Sequence, residues 1–163
     1  MTQDVQTIKK DRLRYTKDSF SSTMAILAIV FDCLFFVSIY QSDVGNYYYT
    51  WLIGVSIIYN LVFLLAAFLA SESVKNRKSG YSGVLILLGI IQIVRIFILP
   101  AKAHAATVMI NGVETAVMSD GQYMYCVVCL VVSAVCCIVA ALVSARNNKI
   151  LADYMKTIET KPA

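Results

Sequence analysis

Two ionisable side chains lie within stretches of sequence that are otherwise apolar. Asp32 falls in the apolar run 22–40, and Arg95 falls in the apolar run 81–99. A charge near the centre of a membrane helix costs about 2.5–3.5 kcal/mol, so both groups are expected to face protein or water rather than lipid. A carboxylate in this setting can carry a proton or bind an ion, and a carboxylate paired with a guanidinium can fix two helices together.

The amide side chains of Asn60 and Gln92 fall at a depth in the predicted helices similar to that of Asp32 and Arg95. Asp32 lies about 15 Å into its run, and Arg95 lies about 21 Å into its run from the same side. The axial gap of about 6 Å is within reach of an arginine side chain. Asn60 and Gln92 fall near the same level, and Gln92 shares a helix face with Arg95 because the two are three residues apart. The sequence therefore predicts a polar layer at the midplane, contributed by three helices.

The predicted polar layer has three interpretations. In the first, its hydrogen bonds fix the register of the helices or receive a partner's helix, and the small residues Ala25 and Ala28 beside Asp32 favour such close packing. In the second, Asp32 relays protons or ions, although a fixed cation beside it stabilises the charged carboxylate and works against proton carriage. In the third, Arg95 extends along its helix to the membrane surface. We expect the first.

Cysteines could carry a second kind of chemistry. Cys126 and Cys129 form a C-x-x-C near the start of the run 123–144, where a thiol pair in the first turn of a helix suits exchange with a quinone. Four-helix thiol oxidoreductases also need a loop pair, and the loops of this chain contain no cysteine. Cys129, Ser133 and Cys137 instead recur every four residues in a stripe of small residues. We therefore expect helix packing rather than redox chemistry.

The sequence offers little material for other catalysis. Its one histidine, His104, has no cysteine near it, so we expect no metal site, no cofactor and no histidine-based catalysis. It has no phosphate-binding glycine loop, no nucleophile elbow and no zinc-binding HExxH. It also has no folded basic domain that would read a nucleic acid groove. We expect a protein that is not an enzyme and that binds no nucleic acid.

The elements that must position these residues are four long apolar runs. Hydrophobic residues make up 59% of the chain, and each run is long enough to cross about 30 Å of hydrocarbon as a helix. The runs are continuously apolar, whereas the strands of a membrane barrel alternate apolar and polar residues. We predict an all-α integral membrane protein with a four-helix transmembrane bundle in residues 22–145. Its spans are expected at residues 22–40, 49–70, 81–99 and 123–144.

Basic residues concentrate on one side of the predicted bundle. The arm 1–21, the turn 71–80 and the tail 146–163 hold all but two of the 14 lysines and arginines, and the two others are Arg95 and Lys102. By the positive-inside rule this side is cytoplasmic. Both termini are therefore expected in the cytoplasm, in a multi-pass protein of the cell membrane.

The segment 101–122 is the sizeable piece expected on the opposite, extracytoplasmic side. Asn111-Gly112 separates two β-prone runs there, and Asn-Gly is typical of a two-residue hairpin turn that needs positive φ. We predict a small β-hairpin that rests over the outer end of the bundle and has an apolar side in need of a partner. That side is expected to draw on Val108, Ile110, Val113 and Val117.

Aromatic residues cluster at the level of the outer headgroup boundary. Amphipathic rings favour that position, so an aromatic belt is expected, with a stacking platform for a ligand as the alternative. The residues concerned are Tyr40, Tyr47, Tyr48, Tyr49, Trp51, Tyr123 and Tyr125. On the opposite side, the arm 1–21 is expected to be a charged tail or a short amphipathic helix, and the tail 146–163 is expected to continue the fourth helix.

These features favour a non-catalytic polytopic membrane protein that serves as a subunit or accessory component of a larger membrane complex. Its partners would be the lipid bilayer and either other membrane subunits or further copies of itself. One alternative is a small homo-oligomeric transporter or channel with a pathway lined by Asp32, Asn60, Gln92 and Arg95. The other is a membrane thiol oxidoreductase that uses the C-x-x-C pair.

Overall fold

The structure is a computed structural model that describes residues 8, 11–12, 15–41, 50–110 and 112–159. Within these residues, four helices are long and apolar enough to cross a membrane, which confirms that expectation. The elements in chain order are α1 (Ser19–Tyr40), α2 (Thr50–Lys75), α3 (Tyr81–Ile98), α4 (Pro100–Ala105), β1 (Thr107–Ile110), β2 (Val113–Ala116) and α5 (Asp120–Glu159).

The helix boundaries follow local signals in the sequence. Asp18 caps α1, because its carboxylate accepts a hydrogen bond from the backbone N–H of Ser21 at 3.2 Å. Gly80 precedes α3 with a φ of +93°, a conformation that L side chains rarely adopt. Pro100 begins α4 directly after α3, since proline has no N–H to continue a helix but fits the first turn of a new one.

Two of the helices extend beyond the apolar runs that predict them. α2 continues to Lys75 and α5 continues to Glu159, past the expected span ends at residues 70 and 144. After the apolar runs end, charged and polar residues with good helix propensity continue the backbone hydrogen bonds of each helix. The 40 residues of α5 form a helix about 60 Å long, which is about twice the thickness of a hydrocarbon core.

Hydrogen bonds between helices define how the bundle is packed. The start of α1 meets the end of α2, where the hydroxyl oxygens of Ser22 and Ser71 lie 2.9 Å apart. The end of α1 meets the start of α5, where Nε2 of Gln122 donates to the backbone carbonyl of Ser38 at 2.7 Å. α1 is therefore antiparallel to both neighbours. α3 also packs closely on α5, and it packs less closely on α2.

A very close approach between helices lies at Gly89 on α3. A Cβ atom at this position would lie 2.9 Å from Cγ1 of Ile138 and 3.2 Å from the backbone oxygen of Ala134, both on α5. Real Cβ atoms almost never show a contact as short as the first of these distances, and the second is tighter than most real Cβ contacts. The absence of a side chain at Gly89 is thus what allows α3 and α5 to pack at this distance.

The interior of the bundle contains two apolar clusters, one toward each end. The turn-end cluster, toward residues 76–80, comprises Ala25, Ala28, Phe63, Ala67, Ala70, Val74, Leu85, Leu88, Cys136, Cys137, Ala140 and Ala141. The hairpin-end cluster, toward β1 and β2, comprises Phe35, Ile39, Ile96, Leu99, Ala103, Val117, Met118, Cys126, Cys129 and Leu130. The outward faces of the long helices carry large exposed apolar side chains instead, as expected of surfaces that contact lipid.

β1 and β2 form the expected antiparallel hairpin. Ile110 pairs with Val113 across the turn, and Gly112 has a φ of +81°, as the turn requires. The side chain of Val113 is exposed, whereas Val117 and Met118, which follow β2, are buried in the hairpin-end cluster. The chain is thus anchored to the bundle by the residues after the hairpin.

Parts of several expectations lie outside the described residues. These parts are Asn111, the loop 42–49 with its three tyrosines, the side chains of Trp51, Val108 and Ile110, and most of the arm 1–21. Of the expected aromatic belt, Tyr40 and Tyr123 are half-buried and Tyr125 is exposed.

The far end of α5 lies beside the residues that precede α1. Asn147 donates to the carboxylate of Asp18 at 3.1 Å, and the hydroxyl of Tyr154 lies 3.5 Å from the carboxylate of Asp11. Asp11 thus lies nearer the end of α5 than Asp18 does, an order opposite to the direction of α5. The extension of α5 is therefore in contact with the rest of the chain.

Candidate functional site

The candidate site is a buried polar layer built around an ion pair between α1 and α3. Nη1 of Arg95 donates to Oδ1 of Asp32 at 2.8 Å, a length typical of charge-assisted hydrogen bonds. Asp32 is fully buried, and only 5% of Arg95 is exposed. Away from water each of these charges needs the other, because an isolated buried charge is strongly unfavourable.

Groups from the other two long helices complete the polar layer. Nη2 of Arg95 donates to Oδ1 of Asn60 on α2 at 2.7 Å. Nε2 of Gln92 donates to Oδ1 of Asp32 at 2.8 Å and to Oγ of Ser133 on α5 at 3.2 Å. Ser133 donates in turn to a backbone carbonyl of α1 at 2.9 Å. All four long helices therefore meet in one hydrogen-bonded layer.

Two aromatic rings lie against the guanidinium of Arg95. Its Cζ atom is 4.5 Å from the ring centroid of Phe35 on α1 and 4.9 Å from that of Tyr59 on α2. The electron-rich face of an aromatic ring attracts a cation, and the attraction increases when water is excluded. The two rings thus add to the stabilisation that Asp32 gives Arg95.

The hydrogen bonds of the polar layer fix the orientation of the Gln92 amide. With Nε2 toward Asp32 the amide donates to the carboxylate, whereas the flipped amide would place two acceptor oxygens together. Oδ2 of Asp32, Oε1 of Gln92 and the hydroxyl of Tyr59 have no hydrogen-bond partner within the described part of the chain. The layer thus retains hydrogen-bonding capacity beyond the contacts just described.

The polar layer lies between the two apolar clusters. On α1, Ala28 belongs to the turn-end cluster and Phe35 to the hairpin-end cluster, with Asp32 between them. On α5, Cys136 and Leu130 bracket Ser133 in the same way. This arrangement can hold the helices in register. The apolar clusters separate the buried charges from both ends of the bundle.

The structure brings together all four residues that the sequence placed in the layer, and Asp32 and Arg95 form the pair that depth alone made possible. Sequence reasoning missed Ser133 as a member, because it assigned this residue to a packing stripe. The signal that could have identified it is a serine near the middle of the fourth apolar run, 123–144. Tyr59, one residue before Asn60, was missed as well.

The C-x-x-C pair lies in the apolar interior. Cys126 is fully buried and Cys129 is 2% exposed, both within the hairpin-end cluster. The thiol of Cys126 donates to the hydroxyl of Ser38 at 3.6 Å. Both cysteines are free thiols. Their surroundings resemble those of packing residues, since reactive cysteines are usually found at accessible, electropositive positions.

His104 joins α4 to the start of α5. Its Nε2 lies 2.8 Å from Oδ1 of Asp120, and its ring stacks on that of Tyr123 with 4.5 Å between centroids. Within the described residues, no group of three or more histidine, cysteine, aspartate or glutamate side chains could hold a metal ion. The contacts of His104 fasten the two ends of the hairpin segment to each other.

Comparison of the chain with protein-family models, with curated proteins and with solved structures finds no match.

Proposed function

We propose that this chain is a non-catalytic, multi-pass membrane protein that serves as a subunit or accessory component of a larger membrane complex. In this proposal the polar layer holds the four helices in one arrangement, and the outer surfaces of the bundle meet lipid and partner subunits. The role is architectural, so no residue of the layer acts on a substrate.

The observation that carries the proposal is the position of the polar layer between two apolar clusters. Asp32 and Arg95 neutralise one another, Asn60 and Gln92 add hydrogen bonds to the pair, and Ser133 holds Gln92, all from within the same chain. A transport pathway requires polar or wet surroundings that continue toward both faces of the membrane. The apolar residues on both sides of the layer favour a helix-fixing role over a relay.

In the proposed orientation the membrane in question is the cell membrane and both termini are cytoplasmic. The basic turn 76–80 and the extension of α5 then lie inside the cell, and the β-hairpin lies outside it. The support is the distribution of lysine and arginine along the chain, which concentrates on one side of the four helices.

Purification of the full chain with its native partners tests the proposal. The tagged protein, extracted in a mild detergent, is expected to co-purify with at least one other membrane protein in a fixed ratio. A matched preparation treated with a harsh detergent provides the control, because it should release the partner. Isolation of the chain alone or only with copies of itself under both conditions would contradict a subunit role.

A flux assay separates the proposed role from transport. Liposomes that contain the wild-type chain or Asp32→Asn are expected to pass protons and monovalent ions no faster than empty liposomes. Flux that is present in the wild type and lost in Asp32→Asn, with the variant still folded by gel filtration in detergent, would instead show that the carboxylate serves a conducting pathway.

A further inference from the structure

A groove opens on the side of the bundle where α2 and α3 pack less closely. Its volume is about 320 Å³, which is at the lower end of the range for small-molecule sites. Val55, Ser56 and Tyr59 line it from α2, and Ile91, Val94 and Arg95 are among the residues that line it from α3. The lining is thus mainly apolar, with one cationic side chain and two hydroxyl-bearing ones.

Arg95 belongs both to this groove and to the polar layer. Its hydrogen bonds to Asp32 and Asn60 use one N–H of each Nη atom, and a guanidinium has five N–H donors. Within the described contacts, Arg95 therefore has donor capacity beyond its two bonds in the layer. Arg95 is 5% exposed and is the cationic residue among those that line the groove, so an acceptor oxygen placed there would lie beside its side chain.

The charge balance of the polar layer restricts what can occupy the groove. Asp32 already neutralises Arg95 at 2.8 Å, so the pair has no net charge. A carboxylate in the groove would bring a second, unbalanced negative charge into hydrocarbon, and an ammonium would be repelled by Arg95. The surroundings favour an uncharged molecule with an apolar body and an acceptor oxygen.

We propose that the α2–α3 groove is a binding site for a neutral, lipid-soluble molecule whose carbonyl oxygen is received by Arg95. Long-chain esters and other uncharged carbonyl-bearing amphiphiles belong to this class. The site goes beyond the architectural role, because a bound molecule would contact the polar layer through Arg95. It depends on the groove and its charge balance and does not require a partner subunit.

Photo-crosslinking of the full chain in liposomes tests the site with three probes of equal chain length. A long-chain methyl ester that carries a diazirine is compared with its free acid at pH 8 and with the corresponding hydrocarbon. The ester is expected to label the α2 and α3 segments that line the groove about tenfold more than either other probe, since a hydrogen bond to a charged donor contributes about one order of magnitude in affinity. Unlabelled ester should compete.

Two substitutions of the same kind make the test specific. Val55→Phe fills the groove and is expected to reduce ester labelling there at least to the level of the hydrocarbon. Val62→Phe, on the lipid-exposed surface of α2 outside the groove, is expected to leave it unchanged. Neither position belongs to the polar layer, so both variants are expected to retain the fold, which gel filtration in detergent measures.

Three results would overturn the proposal. Equal labelling of wild type, Val55→Phe and Val62→Phe would show that the ester samples the helix surfaces as bulk lipid does. Stronger labelling by the free acid would contradict the charge argument. Crosslinking of a co-purified membrane protein to Val55 and Val94 positions in place of the ester would assign the groove to a partner helix.

Discussion

Arg95 illustrates what a charge needs in order to persist inside an apolar bundle. It has a counter-charge in Asp32, an amide acceptor in Asn60 and two aromatic rings against its guanidinium. A buried pair of this kind adds little net stability compared with well-packed apolar residues, but loss of one member leaves the other uncompensated. The pair therefore specifies which helix faces meet more than it increases stability.

A double-mutant cycle tests this view of the ion pair. Asp32→Leu and Arg95→Leu are each expected to lower the free energy of unfolding by about 3–5 kcal/mol, because each leaves a buried charge alone. The double variant is expected to be more stable than either single one, as measured by unfolding in mixed micelles.

Leu34→Ala provides the control on the same helix. Its side chain is exposed, so it is expected to change stability by no more than about 0.5 kcal/mol. If the free energy of unfolding of the double variant is no higher than that of the less stable single variant, the two charges do not depend on each other.

At the residue level, the sequence predicted which residues belong to the polar layer better than which hydrogen bonds they form with one another. Asp32, Asn60, Gln92 and Arg95 are conspicuous because polar groups are expensive in apolar runs, and counting residues gives their depth. Rotation of each helix about its axis is harder to predict, since an apolar run has no polar face to mark its outside. The contact of Gln92 with Ser133 depends on that rotation.

At the level of elements, the contact between α3 and α5 depends on one residue without a side chain. Gly89→Ala is expected to destabilise the protein by about 1–3 kcal/mol, because the new methyl group must displace Ile138 or the α5 backbone. Thermal unfolding in detergent, monitored by loss of helicity or by aggregation, measures the effect.

Gly54→Ala is the matched control for Gly89→Ala. A Cβ atom at Gly54, on α2, would meet nothing within 4 Å. Because alanine favours a helix over glycine by up to about 1 kcal/mol, this variant is expected to be as stable as the wild type or more so. Equal losses of stability for both variants would argue against a special contact at Gly89.

The sequence predicted the presence of four long apolar helices better than the residues at which they end. Hydropathy falls after residues 70 and 144, yet α2 and α5 continue to Lys75 and Glu159. Hydropathy reports the solvent around a segment, whereas helix length depends on backbone propensity and on capping. The hairpin was predictable because Asn111-Gly112 is a local signal that needs no tertiary information.

On the scale of the whole molecule, the charge distribution and the fold together predict which end of the bundle faces the outside of the cell. Glu114 in β2 and Lys78 in the turn before α3 are both exposed, and they lie toward opposite ends of the bundle. In intact cells a membrane-impermeant maleimide is expected to label Glu114→Cys and to leave Lys78→Cys unlabelled. Permeabilised cells should show labelling of both.

The native cysteines provide the background for that experiment. Cys126, Cys129, Cys136 and Cys137 are buried, and wild-type protein measures any labelling that they or Cys33 contribute. The reverse pattern, with Lys78→Cys labelled from outside, would invert the proposed orientation. The polar layer and the groove would be unaffected, because they do not depend on which face is cytoplasmic.

The length of α5 has a mechanical consequence. From Gln122 to its end this helix contains no glycine or proline, the residues at which long helices most often bend. It is therefore expected to be a stiff helix. Its transmembrane part contains Ser133, and its extension is held by the contacts of Asn147 with Asp18 and of Tyr154 with Asp11. A rotation of that extension is therefore expected to move Ser133 as well, and through Gln92 to reach the carboxylate of Asp32.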